Sequence, residues 1–126
     1  MTKYIRLLPK VVQAIHVRQI NEHGGQPGLR DEGLFESALS YGDPSPDIAT
    51  FAAGYAYGLS RNYPFFDGNK RVAYIAARTF LILNGWDIDA EIADKHTTMV
   101  TLASGSLSED DLADWIRRRI KRIRGR

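Results

Sequence analysis

The chain has 126 residues, enough for one domain with a single core and room for little else. It has no cysteine, which excludes disulfides, thiolate metal sites and thiol catalysis. No run approaches the roughly 18 apolar residues of a membrane span. The net charge of +2 hides an asymmetry: the last ten residues, RRRIKRIRGR, hold seven of the 17 Lys and Arg, leaving ten basic against 15 acidic residues elsewhere. The sequence pI near 9.0 therefore describes a basic C-terminal tail (117–126) more than a surface, and binding to nucleic acid is not expected from it. The N-terminal stretch MTKYIRLLPK lacks the pattern of a signal peptide, so the expected compartment is the cytoplasm.

Leu8, Val11, Val12 and Ile15 form a helical stripe over about Leu8 to Glu22, stopped by Gly24-Gly25. GGQPGLRD (Gly24 to Asp31) is a turn-rich connector. Leu34, Phe35, Ala38 and Leu39 mark a short second helix, closed by Gly42, Pro44 and Pro46. Asp47 is placed to cap a third, DIATFAAGYAYGLSRN, whose small residues call for close packing against a neighbour. A fourth runs from Asn69 to Leu83, apolar on most faces and therefore central and buried. Asn84-Gly85 stops it, and WDIDA is too short to read as a strand. A fifth helix is expected over Ala90 to Ala103. The last begins at Ser108, with Asp111 three residues on, and carries Leu112, Trp115, Ile116, Ile120 and Ile123 as its stripe. The fold class is all-α, a compact single-domain bundle of about six helices.

The chemistry concentrates in NYPFFDGNKR, Asn62 to Arg71. Lys70 and Arg71 stand in the first turn of the fourth helix, where cations oppose the helix dipole by roughly 0.3–1 kcal/mol each. An anion in front of the helix resolves that conflict, because free backbone N–H groups, the dipole and both cations then converge on it. Gly68 permits a left-handed turn and close backbone approach. Asn69 can cap the helix or bond an oxyanion. Asp67 beside a phosphate calls for a cation between them, and Mg²⁺ is commonly held by one or two carboxylates plus phosphates. The expectation is a nucleotide-phosphate site with Mg²⁺, and it is not a Walker loop. A solvated helix start, merely capped by Asn69 or Asp67, is the alternative reading of these residues alone.

The longer string YPFFDGNKR resembles the H-x-F-x-D-G/A-N-K/G-R motif of the Fic/Doc family, and its K-R ending is similar to the death-on-curing (Doc) branch. GGQPGLRDEGLFESAL (Gly24 to Leu39) and FLILNGW resemble the flanking segments of that branch. The resemblance implies anion contacts from Gly68, Asn69, Lys70 and Arg71, a metal contact from Asp67, and a buried loop anchor in Phe65. It implies ATP and Mg²⁺ as cofactors and phosphorylation of a threonine of elongation factor Tu, which stops translation. It also implies an antitoxin partner whose C-terminal segment folds into a groove. Typical Fic members transfer AMP and carry Gly where this chain has Lys70, so Lys70 favours phosphoryl over AMP transfer. A non-catalytic module binding antitoxin or RNA is a further alternative.

The motif begins with His, the general base, where this chain has Tyr63. An ordinary phenol ionises near pH 10 and an imidazole near 6.5, so a phenol is a poor proton acceptor at neutral pH. Loss of a positioned base typically costs about 10²–10⁴ in rate. Three readings are open: an inactivating substitution, a natural silent member, or a Tyr63 whose ionisation is eased by Lys70, Arg71 and a metal. His16, His23 and His96 lack metal-ligand spacing and are read as surface or structural, and Trp86 and Trp115 as core anchors.

Overall fold

A computed structural model describes residues 4–43 and 45–123. Pro44, expected to help close the second helix, and residues 124–126 of the basic tail lie outside them. Among the described residues there are six helices: α1 (Pro9–His23), α2 (Glu32–Ala38), α3 (Ile48–Asn62), α4 (Asn69–Leu83), α5 (Ile92–Ala103) and α6 (Glu109–Arg117). Two three-residue strands, β1 (Trp86–Ile88) and β2 (Ile120–Arg122), complete them. None of the helices is long and apolar enough to cross a membrane.

The helix starts follow their capping chemistry. The side chains of Asp31, Asp47 and Ser108 accept bonds from the amides of Leu34, Thr50 and Asp111 and so begin α2, α3 and α6. α1 begins with Pro9, whose missing N–H costs nothing at a first helical position.

The core sits where α3 and α4 pack together. Phe51, Tyr55 and Phe80 form a stacked and tilted aromatic cluster there, next to buried Leu59, Val72 and Leu81. α2 lies against the small-residue face of α3. A Cβ on Gly58 would stand 2.3 Å from the Ala38 carbonyl oxygen, so the two backbones touch as the run of small residues requires. α1 packs against α4, and α6 against α3.

The C-terminal end departs from the sequence expectation. α6 stops at Arg117, and residues 120–122 pair antiparallel with β1, Trp86 opposite Arg122 and Ile88 opposite Ile120. The amide of Asp89 bonds the Arg119 carbonyl at 2.7 Å and that of Ile123 the Gly85 carbonyl at 2.9 Å, extending the pairing at both ends. Ile120 therefore packs against the core from a strand. Trp86 and Trp115 are half-buried at its edge, each under an arginine, Arg122 and Arg119 respectively.

Candidate functional site

The loop between α3 and α4 is held from three sides. α3 ends at Tyr63, whose backbone is left-handed (φ 48°, ψ 54°). The Arg30 guanidinium donates to the carbonyls of Tyr63 (2.7 Å) and Asn62 (2.9 Å), placing a cation on the negative end of α3. The connector before α2 runs antiparallel to the loop. The amides of Arg30 and Asp31 donate to the Pro64 carbonyl, and Phe66 N–H to the Gly28 carbonyl at 3.3 Å, with Leu29 opposite Phe65.

From the far side Asn69 closes a two-bond clamp on Phe65. Its Oδ1 accepts from the Phe65 amide and its Nδ2 donates to the Phe65 carbonyl, both at 3.0 Å. The Asn69 side chain is thus committed to the loop; it neither caps α4 nor stands free for an oxyanion. Phe65 is buried, flat against His16 and edge-on to Phe35.

Gly68, left-handed at φ 81°, turns the chain into α4. The first intrahelical bond is Val72 N–H to the Gly68 carbonyl, and no side chain caps the helix. The amides of Asn69, Lys70 and Arg71 therefore have no intrahelical acceptor. Lys70 is exposed and Arg71 half-buried. Neither Asn69 nor Asp67 caps α4, as the alternative reading had it, while Lys70 is solvent-exposed as that reading expects.

Asp67 is exposed, and its Oδ2 accepts the Gln26 amide at 2.6 Å, which orients the carboxylate. Among the described residues no group of three or more His, Asp or Glu could hold a metal. A single oriented carboxylate beside an uncapped helix start fits a Mg²⁺ shared with substrate phosphates, and does not fit an all-protein metal cage.

Tyr63 stands half-exposed, its hydroxyl 3.5 Å from the Ala103 carbonyl at the end of α5. Any hydrogen bond there has the phenol as donor, the opposite of what a proton acceptor needs.

Beside the motif, a cleft of about 330 Å³ opens between α1, α4 and α5. Lys70, Arg71 and Lys95 supply its positive charge, and Ile75, Ile92 and Met99 its apolar wall. Arg71 Nε and the Tyr74 hydroxyl, on two cleft-lining residues, are buried without a hydrogen-bond partner.

Sequence reasoning thus placed Tyr63, Asp67, Gly68, Asn69, Lys70 and Arg71 on one loop and helix start, and the structure keeps them there. It missed His16, Gln26, Arg30 and Tyr74. The connector glycines were a signal for close backbone approach, whereas the His16 and Tyr74 contacts have no local signature.

The fold and the loop define the class of protein. Residues 6–81 match the Fic/DOC family, and the chain belongs to it. Its relatives include Protein kinase doc of Escherichia phage P1, 32% identical in an alignment of 119 residues that covers 87% of this chain and 91% of that protein. Toxin Doc of Mycolicibacterium smegmatis is 40% identical in an alignment of 75 residues that covers 54% of this chain and 58% of that protein.

Proposed function

We propose that this chain is a Doc-type toxin of a toxin–antitoxin pair, with a site built for ATP-dependent phosphoryl transfer to a protein hydroxyl and weakened by Tyr63. The observation that carries this reading is the uncapped N-terminus of α4, with Lys70 and Arg71 in its first turn and Asp67 oriented beside it. The names of the two relatives, a protein kinase and a toxin, support it.

The free amides of the first turn, the Lys70 ammonium and the Arg71 guanidinium hold the nucleotide phosphates. When bound, Mg²⁺ supplies further charge neutralisation, with Asp67 as its protein contact. In the transfer, the bond from the γ-phosphorus to the bridging oxygen breaks, a bond to the target hydroxyl forms, ADP leaves, and the hydroxyl proton must go to a base. Position and charge dominate catalysis in this reaction class. Tyr63 holds the motif position of that base, and a phenol is a poor proton acceptor at neutral pH. The target is a threonine of elongation factor Tu, as the family resemblance implies, and its modification in the cytoplasm blocks translation. Lys70 disfavours AMP transfer. The antitoxin partner is an acidic segment with apolar anchors, complementary to the cations and apolar wall of the α1–α4–α5 cleft.

Calorimetric titration with Mg²⁺–ATP tests the site, and expression of Tyr63→His tests the defect. The expected results are ATP binding by the parent chain, and growth inhibition and target phosphorylation only with Tyr63→His. Absence of Mg²⁺–ATP binding would sink the nucleotide reading. A mass increase equal to AMP on the target would replace phosphoryl transfer by AMP transfer.

A further inference from the structure

We propose that His16 is a positioning residue for the nucleotide loop, fixing Asp67 and Gly68 from beneath; its effect on ATP rests on the reading above. His16 sits in the middle of α1, only 2% exposed, and nothing in the site's chemistry uses it directly. Its Nε2 lies 2.8 Å from the Asp67 carbonyl oxygen. A carbonyl only accepts, so Nε2 carries the proton and donates. The ring lies flat on Phe65, with centroids 3.9 Å apart and planes 8° from parallel. His16 Cδ2 is 3.8 Å from where a Cβ on Gly68 would stand, so the imidazole edge also reaches the turn into α4.

These contacts bear on consecutive parts of one loop: the Phe65 ring, the Asp67 carbonyl and the Gly68 turn. Asn69 and Arg30 hold Phe65 and the end of α3, but neither reaches Asp67. The Asp67 side chain is oriented by Gln26 through Oδ2, and its backbone by His16. With the carbonyl pinned, the peptide between Asp67 and Gly68 has one orientation, and the carboxylate and the free amides of α4 keep a fixed relation. Removing the donor releases that peptide while leaving Asn69's clamp in place.

Two substitutions separate the donor from the packing. His16→Phe keeps an aromatic plane against Phe65 and loses the N–H. His16→Gln loses the plane and keeps an amide N–H near the position of Nε2. Each is measured by calorimetry with Mg²⁺–ATP and with ATP in EDTA, and by the amide NMR signals of Asp67 and Gly68. Outer-shell partners of metal ligands typically govern about tenfold or more in affinity, so His16→Phe should lose about tenfold for Mg²⁺–ATP and nothing for ATP in EDTA. Its Asp67 and Gly68 signals should move, and His16→Gln should restore both readouts towards the parent. Unmoved signals in His16→Phe, or equal losses in both variants with and without metal, would overturn the proposal. If the parent itself binds no Mg²⁺–ATP, the nucleotide reading fails alone, and the amide signals still decide whether His16 holds the loop.

Discussion

Tyr63 occupies a backbone conformation that favours other residues. A left-handed backbone costs an ordinary L-residue roughly 1–2 kcal/mol, and Gly, Asn, Asp and His take it more readily than Tyr does. Here it is enforced by Arg30 on the Asn62 and Tyr63 carbonyls and by the pairing of Pro64 with the connector. Histidine therefore suits both the backbone and the proton transfer. Tyr63→His should leave stability unchanged or raise it by up to about 0.5 kcal/mol, since its αL preference is the better one. Urea denaturation checks this, and a loss above about 1 kcal/mol would mean the half-exposed phenol matters more than the strain. Asn69 makes the opposite case. Asn69→Ala strands the Phe65 amide and carbonyl in a buried loop, so it should cost about 2–3 kcal/mol in the same assay. The motif letters made this residue visible without revealing what it holds. From sequence it suited the cap or the ligand equally, and only the fold brings Phe65 within its reach.

Elements were legible where a local cause sets them. Asp47 and Ser108 announced the starts of α3 and α6, and Asn69 to Leu83 was read with the boundaries α4 has. The small residues of α3 announced backbone contact as well. Gly58→Ala would force a methyl to 2.3 Å from the Ala38 carbonyl and 2.9 Å from its Cα, where both atoms are backbone and cannot rotate away. Overpacking of this kind typically costs about 1–3 kcal/mol, and a clash with fixed backbone belongs at or above the upper end. A thermal melt of Gly58→Ala close to that of the parent would show that α2 can slide off α3. The strands failed the same reading for a physical reason. Three residues carry too little periodicity, and their partners are more than 30 positions apart in sequence. Ile120 and Ile123 continue the helical spacing of Leu112 and Ile116, so the pattern pointed to helix, and the backbone pairing with Gly85 to Asp89 overrode it.

At the scale of the whole molecule, the charge asymmetry of the sequence is folded back on itself. Arg117 bonds Asp47 and Asp114, Arg119 pairs with Asp94 at 2.7 Å, and Lys121 with Asp89 at 3.2 Å. Three of the tail's cations, Arg117, Arg119 and Lys121, thus form a strap across the starts of α3 and α5. Exposed pairs are individually weak, so the strap should show itself through pH more than through any one pair. The Arg119 guanidinium and the Trp115 indole hold the Asp94 carboxyl below its ordinary range. Burial works against ionisation of Asp47, but bonds from Arg117 and Thr50 outweigh it and hold that carboxyl low as well. The unfolded chain takes up protons at the ordinary carboxylate range, near pH 4, before the folded chain does. The stabilisation is therefore fully present above about pH 5 and is lost as pH falls through the lowered folded values. Asp94→Asn should melt below the parent at neutral pH, with the gap closing as the pH is taken down from about 5 through the parent's lowered carboxylate range. Melting curves that stay parallel across this range would mean that the Asp94 charge contributes nothing, leaving the β1–β2 backbone pairing to hold the strap in place.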